Sequence, residues 1–390
     1  MAYLKNIFMD ARDKFIKKFG TRKKIKTIDE LLDLPNQNGP HVRKVHHVDL
    51  SELDLSDHHD MLVGELDDNY MPTSEAIKNK IILNWTDDVI WPQPDKMPNG
   101  FDPKQILEAA KYPVEMHNVH SMGKTGAGIG IAIIDQRLYR DHPEYADRIK
   151  HYEHIDSHIP ANGTDYHGSL VAGCAVGKTT GTAPDANLYY FSASASEITK
   201  DGKRTLSRKY KINALKRILE INKTLPETNK IRFISCSWGT KDDLYEPECR
   251  QIFEECERNG IMIIGGAYKP TATTPIDKRY PSLDPAKVGI PTNGKTTPFW
   301  QGGYYYTRLG GSSSTFPYLA GVFACALQGN TIFCTRQNWQ DELTDIMKQT
   351  AIEHPMGGKI INPTGIVERV SQIARTMEIN QIKQQVSQHE

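Results

Sequence analysis

Residues 129–135 read IGIAIID, an apolar run that closes on an aspartate. A strand with one wet face alternates apolar and polar residues, and this run does not alternate. It predicts a strand buried on both faces, as in parallel sheets covered by helices. The same texture returns in NLYYFSA (187–193), IRFISCSW (231–238), IMIIGGA (261–267) and KVGIP (287–291). Helical spacing falls between the runs, in SLVAGCAVG (169–177), INALKRILEINKTL (212–225) and PECRQIFEECERNG (247–260). Strands alternating with helices predict a three-layer α/β domain over 105–374, a mostly parallel sheet flanked by helices. Functional groups in such sheets gather beyond the carboxyl ends of the strands. Residues 375–390 read as a polar helical tail.

Residues 1–104 form an N-terminal extension of different character. Nine Lys/Arg stand against four Asp/Glu over 1–30, whereas 49–70 holds eight acids and no Lys or Arg. Ile7, Phe8, Ala11, Phe15, Ile16 and Phe19 recur at helical spacing, which predicts a basic amphipathic helix. Such a helix docks on its own protein, or residues 1–20 make peripheral contact with an anionic membrane. The Trp-, Pro-, Asp- and Asn-rich stretch 84–102 reads as an irregular connector.

The 390 residues carry 48 Lys+Arg and 48 Asp+Glu, and this balance argues against a nucleic-acid partner. No apolar run reaches the ~18 residues that span a bilayer, which argues against an integral membrane segment. The six cysteines include no CxxC pair, and most lie in apolar runs, so they read as reduced core residues. The first residues show no secretory pattern, and a cytoplasmic location is the expectation.

Three local signals carry chemistry. Asp135 ends a predicted strand, His167 opens a helix in DYHGSLVAG, and Ser313 follows two glycines in GGSSSTFPYLAG. Singly, each has a bland reading: a turn carboxylate, a surface histidine, a helix cap. Together they supply what a serine nucleophile needs, a base and a group that fixes the base's tautomer. A hydroxyl at a helix start also sits beside free amide donors and the positive end of the dipole.

The chain resembles the subtilisin-like serine peptidases, the subtilases, whose triad runs in the order Asp…His…Ser. IAIIDQ, HGSLVAG and GGSSSTFPYLAG are similar to the family's three triad motifs, and GTAPDANLYY and GIVERV to two further ones, over roughly 112–374. The resemblance implies peptide-bond hydrolysis through an acyl-enzyme, with Ser313 as nucleophile, His167 as base and Asp135 as its orienting partner. It implies a peptide or protein substrate held by Ser237, Trp238 and Gly239 at a strand end. No cofactor is implied; structural calcium is common in the family, but no loop for it is identified here.

Two departures stand out. Gln136 and Arg137 follow the aspartate where the family has Ser/Thr and Gly, and Arg137 is placed to pair with Asp135 or a substrate acid. The family's oxyanion asparagine is missing: an ungapped match puts Tyr268 and Lys269 in that neighbourhood as doubtful donors. Losing such a donor costs about 10²–10³ in rate. A catalytically weak peptide-binding regulator on the same scaffold is therefore the alternative.

His46, His47, His58 and His59 form two pairs, and His151, His154 and His158 have spacing that would share one helical face. Neither set has zinc-site spacing with cysteine, so solvated histidines and no metal are the expectation. Residues 1–104 are long enough for a cleavable pro-segment, or form a permanent extension that regulates access.

Overall fold

Strand β1, Gly130–Asp135, is buried along its whole length. It belongs to the computed structural model of the chain, which describes residues 22–34, 42–62, 82–155, 165–194, 196–237, 245–265, 273–276, 287–307, 312–353 and 358–388. The chain divides into two compact units: 1–108 with 305–308, and 109–304 with 309–390.

The larger unit is built on β1 together with β2 (Ile149–His154), β3 (Asn187–Ser192), β4 (Ile231–Cys236) and β5 (Met262–Gly265). Their order is β5-β4-β1-β3-β2, and every neighbouring pair is parallel. Ile131 and Ile133 of β1 enter one core, and Ala132 and Ile134 the other. The lack of alternation in IGIAIID thus has a simple cause: both faces of the strand are dry. Fully burying an isoleucine stabilises by about 1.5–3 kcal/mol, so the run rewards a central position in the sheet.

One face is covered by α1 (Tyr166–Val176), α4 (Thr315–Leu327), α5 (Trp339–Thr350) and the start of α6 (Pro363–Ser387). The other is covered by α2 (Lys209–Thr224) and α3 (Glu246–Arg258). On α2, Ile212, Leu215, Ile218 and Leu219 form the buried stripe of an amphipathic helix. Helix α4 is buried at every residue, as befits the central helix of its layer. A Cβ on Gly321 would lie 1.9 Å from the Thr182 hydroxyl, so only glycine permits this contact. Thr182 Oγ1 in turn donates to Tyr318 O at 2.9 Å.

Two expectations are corrected. KVGIP forms a strand, Val288–Pro291, but in a separate small sheet beside Thr273–Ile276. His151 and His154 lie on β2, not on a helix; side chains alternate along a strand, so the two point to opposite faces. His158 lies outside the described residues. The polar tail is the end of α6, one helix of 25 residues, capped by Asn362, which accepts from the Gly365 amide at 3.0 Å. Its first half is anchored by Ile366, Val367, Val370 and Ala374, while Ile379, Ile382 and Val386 are exposed.

The smaller unit corrects the connector reading at its first three residues, while 87–102 is irregular as expected. Residues Ile82–Thr86 form a strand, parallel to Val42–Val45 and antiparallel to Tyr305 and Tyr306. Trp85 is fully buried, edge-on to Trp91 and Phe101 and 4.3 Å from the Tyr306 ring centre. The basic stretch 1–21 lies outside the described residues. Among the described residues no helix is long and apolar enough to cross a membrane.

Candidate active site

Asp135 closes β1 at its carboxyl end with its side chain fully buried. Its Oδ1 meets the His167 ring at 2.6 Å and accepts from the Gln136 amide at 2.7 Å. A carboxylate only accepts, so the shared proton belongs on Nδ1, and Nε2 keeps its lone pair. Burial disfavours the charged imidazole, but the Asp135 charge and hydrogen bond outweigh it, and the His167 pKa is raised from 6.5.

The sequence brings the two side chains together through close backbone approach. His167 is the second residue of α1, and Gly168 follows it. A Cβ on Gly168 would lie 2.5 Å from the Tyr190 hydroxyl, 2.8 Å from Gln136 O and 2.9 Å from Arg137 O. The first turn of α1 is therefore pressed onto the loop that leaves β1. The Tyr190 hydroxyl donates to Gln136 O beneath this contact. Arg137 does not pair with Asp135: its guanidinium holds Asp165 at 2.9 Å.

Ser313 lies in the short turn Ser312–Ser314 that leads into α4, which packs against α1. Its Oγ donates to Ser237 O at 3.2 Å, and Ser237 Oγ donates to Ser313 O at 2.9 Å. Ser237 directly follows β4 and is 7% exposed, so this exchange ties the serine turn to a strand end. In this arrangement the Ser313 hydroxyl points to a carbonyl and makes no hydrogen bond with His167. The Asp135–His167 pair is assembled, and the Ser313–His167 bond is not. Trp238, Gly239, Tyr268 and Lys269 lie outside the described residues.

Of the paired histidines, His46 and His47 are partly buried rather than fully solvated. His47 Nδ1 is 2.9 Å from Asp88, and His46 is partly buried, which lowers its pKa to about 4. His59's side chain lies outside the described residues, while the His58 amide donates to Leu55 O at 2.9 Å. Among the described residues no three His, Cys, Asp or Glu come together to hold a metal ion. Cys236, Cys249, Cys256 and Cys325 are buried free thiols, and Cys174 and Cys334 are partly buried ones.

Sequence reasoning missed Asp165, Tyr190 and the direct Ser237–Ser313 exchange. An acid two residues before the histidine and an arginine two after the aspartate were visible as a complementary pair. Nothing local marks Tyr190, which reaches Gln136 from the neighbouring strand.

The fold is shared with the prenylagaramide maturation protease PagA, at TM-score 0.50 and 17% identity, covering 66% of this chain and 98% of that one. The subtilase cytotoxin assembly SubAB matches at TM-score 0.50 and 13% identity, covering 69% of this chain and 97% of that one. The subtilisin-like protease PopC of Myxococcus xanthus (strain DK1622) is 30% identical over 146 residues. That match covers 34% of this chain and 29% of PopC, so the chain spans under a third of that relative's length. Residues 126–264, which contain Asp135, His167 and Ser237, match the model of the subtilase family.

Proposed function

We propose that the chain is a serine endopeptidase that cleaves peptide or protein substrates through an acyl-enzyme. The observation that carries this reading is the 2.6 Å contact between the buried Asp135 carboxylate and His167, at the carboxyl end of the central strand. This reading requires the Ser313 side chain to rotate off Ser237 O and present its hydroxyl to Nε2. Oγ then attacks the peptide carbonyl carbon as Nε2 takes its proton. The C–N bond breaks as the imidazolium returns that proton to the leaving amine. Water repeats the sequence on the acyl ester and restores the hydroxyl.

The amides at the start of α4 supply part of the oxyanion site. Lys269 or Tyr268 is the second donor in this reading, and Ser237, Trp238 and Gly239 pair with the substrate backbone. No cofactor takes part. The free thiols support a reducing compartment, the cytoplasm.

A second reading is favoured by one observation: the Ser313 hydroxyl is engaged by Ser237 O and not by His167. A peptide-binding regulator with a dormant serine would look the same. An active-site fluorophosphonate decides between them. Labelling of the wild type and not of Ser313→Ala is the expected result, and no label on folded wild type overturns the peptidase reading.

A further inference from the structure

The loop that leaves Asp135 and the residues that lead to His167 are fastened to each other twice. The Asp165 amide donates to Arg137 O at 3.0 Å. Between the side chains, Arg137 Nε donates to Asp165 Oδ2 at 2.9 Å and Nη2 to Oδ1 at 3.3 Å. The placement is symmetric: Arg137 comes two residues after Asp135, and Asp165 two before His167.

Asp165 is the N-cap residue of α1, with extended backbone at φ −125° and ψ 146°, yet its side chain makes no capping bond. A capping aspartate ordinarily accepts from an amide two or three residues along the helix. Here the guanidinium has drawn the carboxylate away from that role. The Arg137 and Asp165 side chains are 19% and 36% exposed, a setting in which an ion pair adds little stability. A two-bond guanidinium–carboxylate contact instead fixes direction as well as distance. Its lever is short, because Gly168 already sets the start of α1 against the Gln136 and Arg137 carbonyls.

We propose that Arg137 and Asp165 are a positioning pair, which holds the first turn of α1 so that His167 Nδ1 stays on Asp135 Oδ1. The kinetic consequence rests on the peptidase reading, whereas the consequence for the imidazole does not.

The test uses the full chain with ring-¹⁵N histidine, His167 being assigned from the spectrum of His167→Gln. In the wild type the ring shifts report a proton on Nδ1. In Arg137→Ala and Asp165→Asn they move toward a mixture of tautomers, and Arg137→Lys gives an intermediate shift. The exchange Arg137→Asp with Asp165→Arg restores the wild-type value. Fluorophosphonate labelling of the single variants falls about 10- to 100-fold, the scale of a misplaced catalytic group. Folded Arg137→Ala with unchanged His167 shifts overturns the proposal, whatever its labelling rate; if that variant does not fold, Asp165→Asn is judged by the same criterion. Absence of labelling in the wild type overturns the peptidase reading alone, and the ring shifts still decide the positioning role.

Discussion

Ser237 and Ser313 exchange hydrogen bonds, each hydroxyl donating to the other residue's carbonyl, at 2.9 and 3.2 Å. The pair fastens the turn before α4 to the end of β4, so the backbone of Ser313 is fixed by a strand. The same contact holds the Ser313 hydroxyl on the Ser237 carbonyl.

Ser237→Ala removes the donor to Ser313 O and leaves the backbone carbonyl of residue 237 in place. One neutral hydrogen bond contributes about 0.5–1.5 kcal/mol net, so the variant folds with a slightly lower thermal midpoint. Its fluorophosphonate labelling slows about tenfold if the turn needs this tie to hold its position. Labelling at the wild-type rate in Ser237→Ala would mean that the exchange has no part in placing Ser313.

The His167 pKa sets the direction of the pH response. Burial disfavours the imidazolium, but Asp135 prevails and the value is raised from 6.5. If His167 is the base of the proposed peptidase, its free form is lost as pH falls through a value above 6.5, and the acid limb of kcat/KM is expected there. For stability the sign is opposite. The raised value gives a contribution fully present below the unfolded pKa of about 6.5 and lost as pH rises through the folded one. In Asp135→Asn only burial remains, so the limb moves below 6.5 while the rate falls about 10⁴-fold, as when a triad loses its carboxylate. A pH–rate profile of the two proteins checks both signs, and an acid limb that does not move would refute the role given to Asp135.

What was legible follows from physics that is local in sequence. The run 129–135 declared a doubly buried strand because every one of its side chains is dry, Asp135 closed that run, and His167 lay in a motif where the next residue is glycine for a steric reason. Other features depend on contacts far along the chain. KVGIP has the texture of a central strand but joins a different sheet, a choice set by its partners at 273–276 and 360. Asn84–Thr86 looked like a connector because its polar residues are buried against residues more than 200 positions later. Arg137 was given Asp135 or a substrate acid as its partner, and it took Asp165, which only the fold brings near.

Gly168 tests how tightly the two halves of the Asp–His pair are pressed together. A methyl group there meets a tyrosine hydroxyl at 2.5 Å and two main-chain carbonyls at 2.8 and 2.9 Å. The carbonyls belong to residues 136 and 137, next to Asp135, so they cannot retreat without moving the carboxylate. Gly168→Ala is expected to cost about 1–3 kcal/mol in stability, the usual range for overpacking. The labelling rate falls by more than that loss of folded protein explains, because the displacement is centred on the pair. Reading rate against fraction folded in a denaturant series separates the two effects. Equal losses of both would show that the glycine serves packing alone.

The N-terminal extension bears on whether 1–104 is a removable pro-segment. Its compact unit includes residues 305–308 from the second half of the chain, with Tyr305 opposite Thr86 and Tyr306 opposite Trp85. Tyr305 is 1% exposed and Trp85 equally so. A chain that begins at residue 109 would present both tyrosines and an unpaired strand edge to water, a template for aggregation. Aromatic side chains bury 150–250 Å² each, so at about 25 cal/mol per Å² the loss is several kcal/mol. The truncated chain is therefore expected to be poorly soluble, and co-expression with residues 1–108 as a separate polypeptide should restore soluble protein that co-purifies. Intact mass of the wild type completes the test. Loss of about 10 kDa in wild type but not in Ser313→Ala, together with a soluble and stable 109–390 fragment, would establish a pro-segment and refute the retained unit.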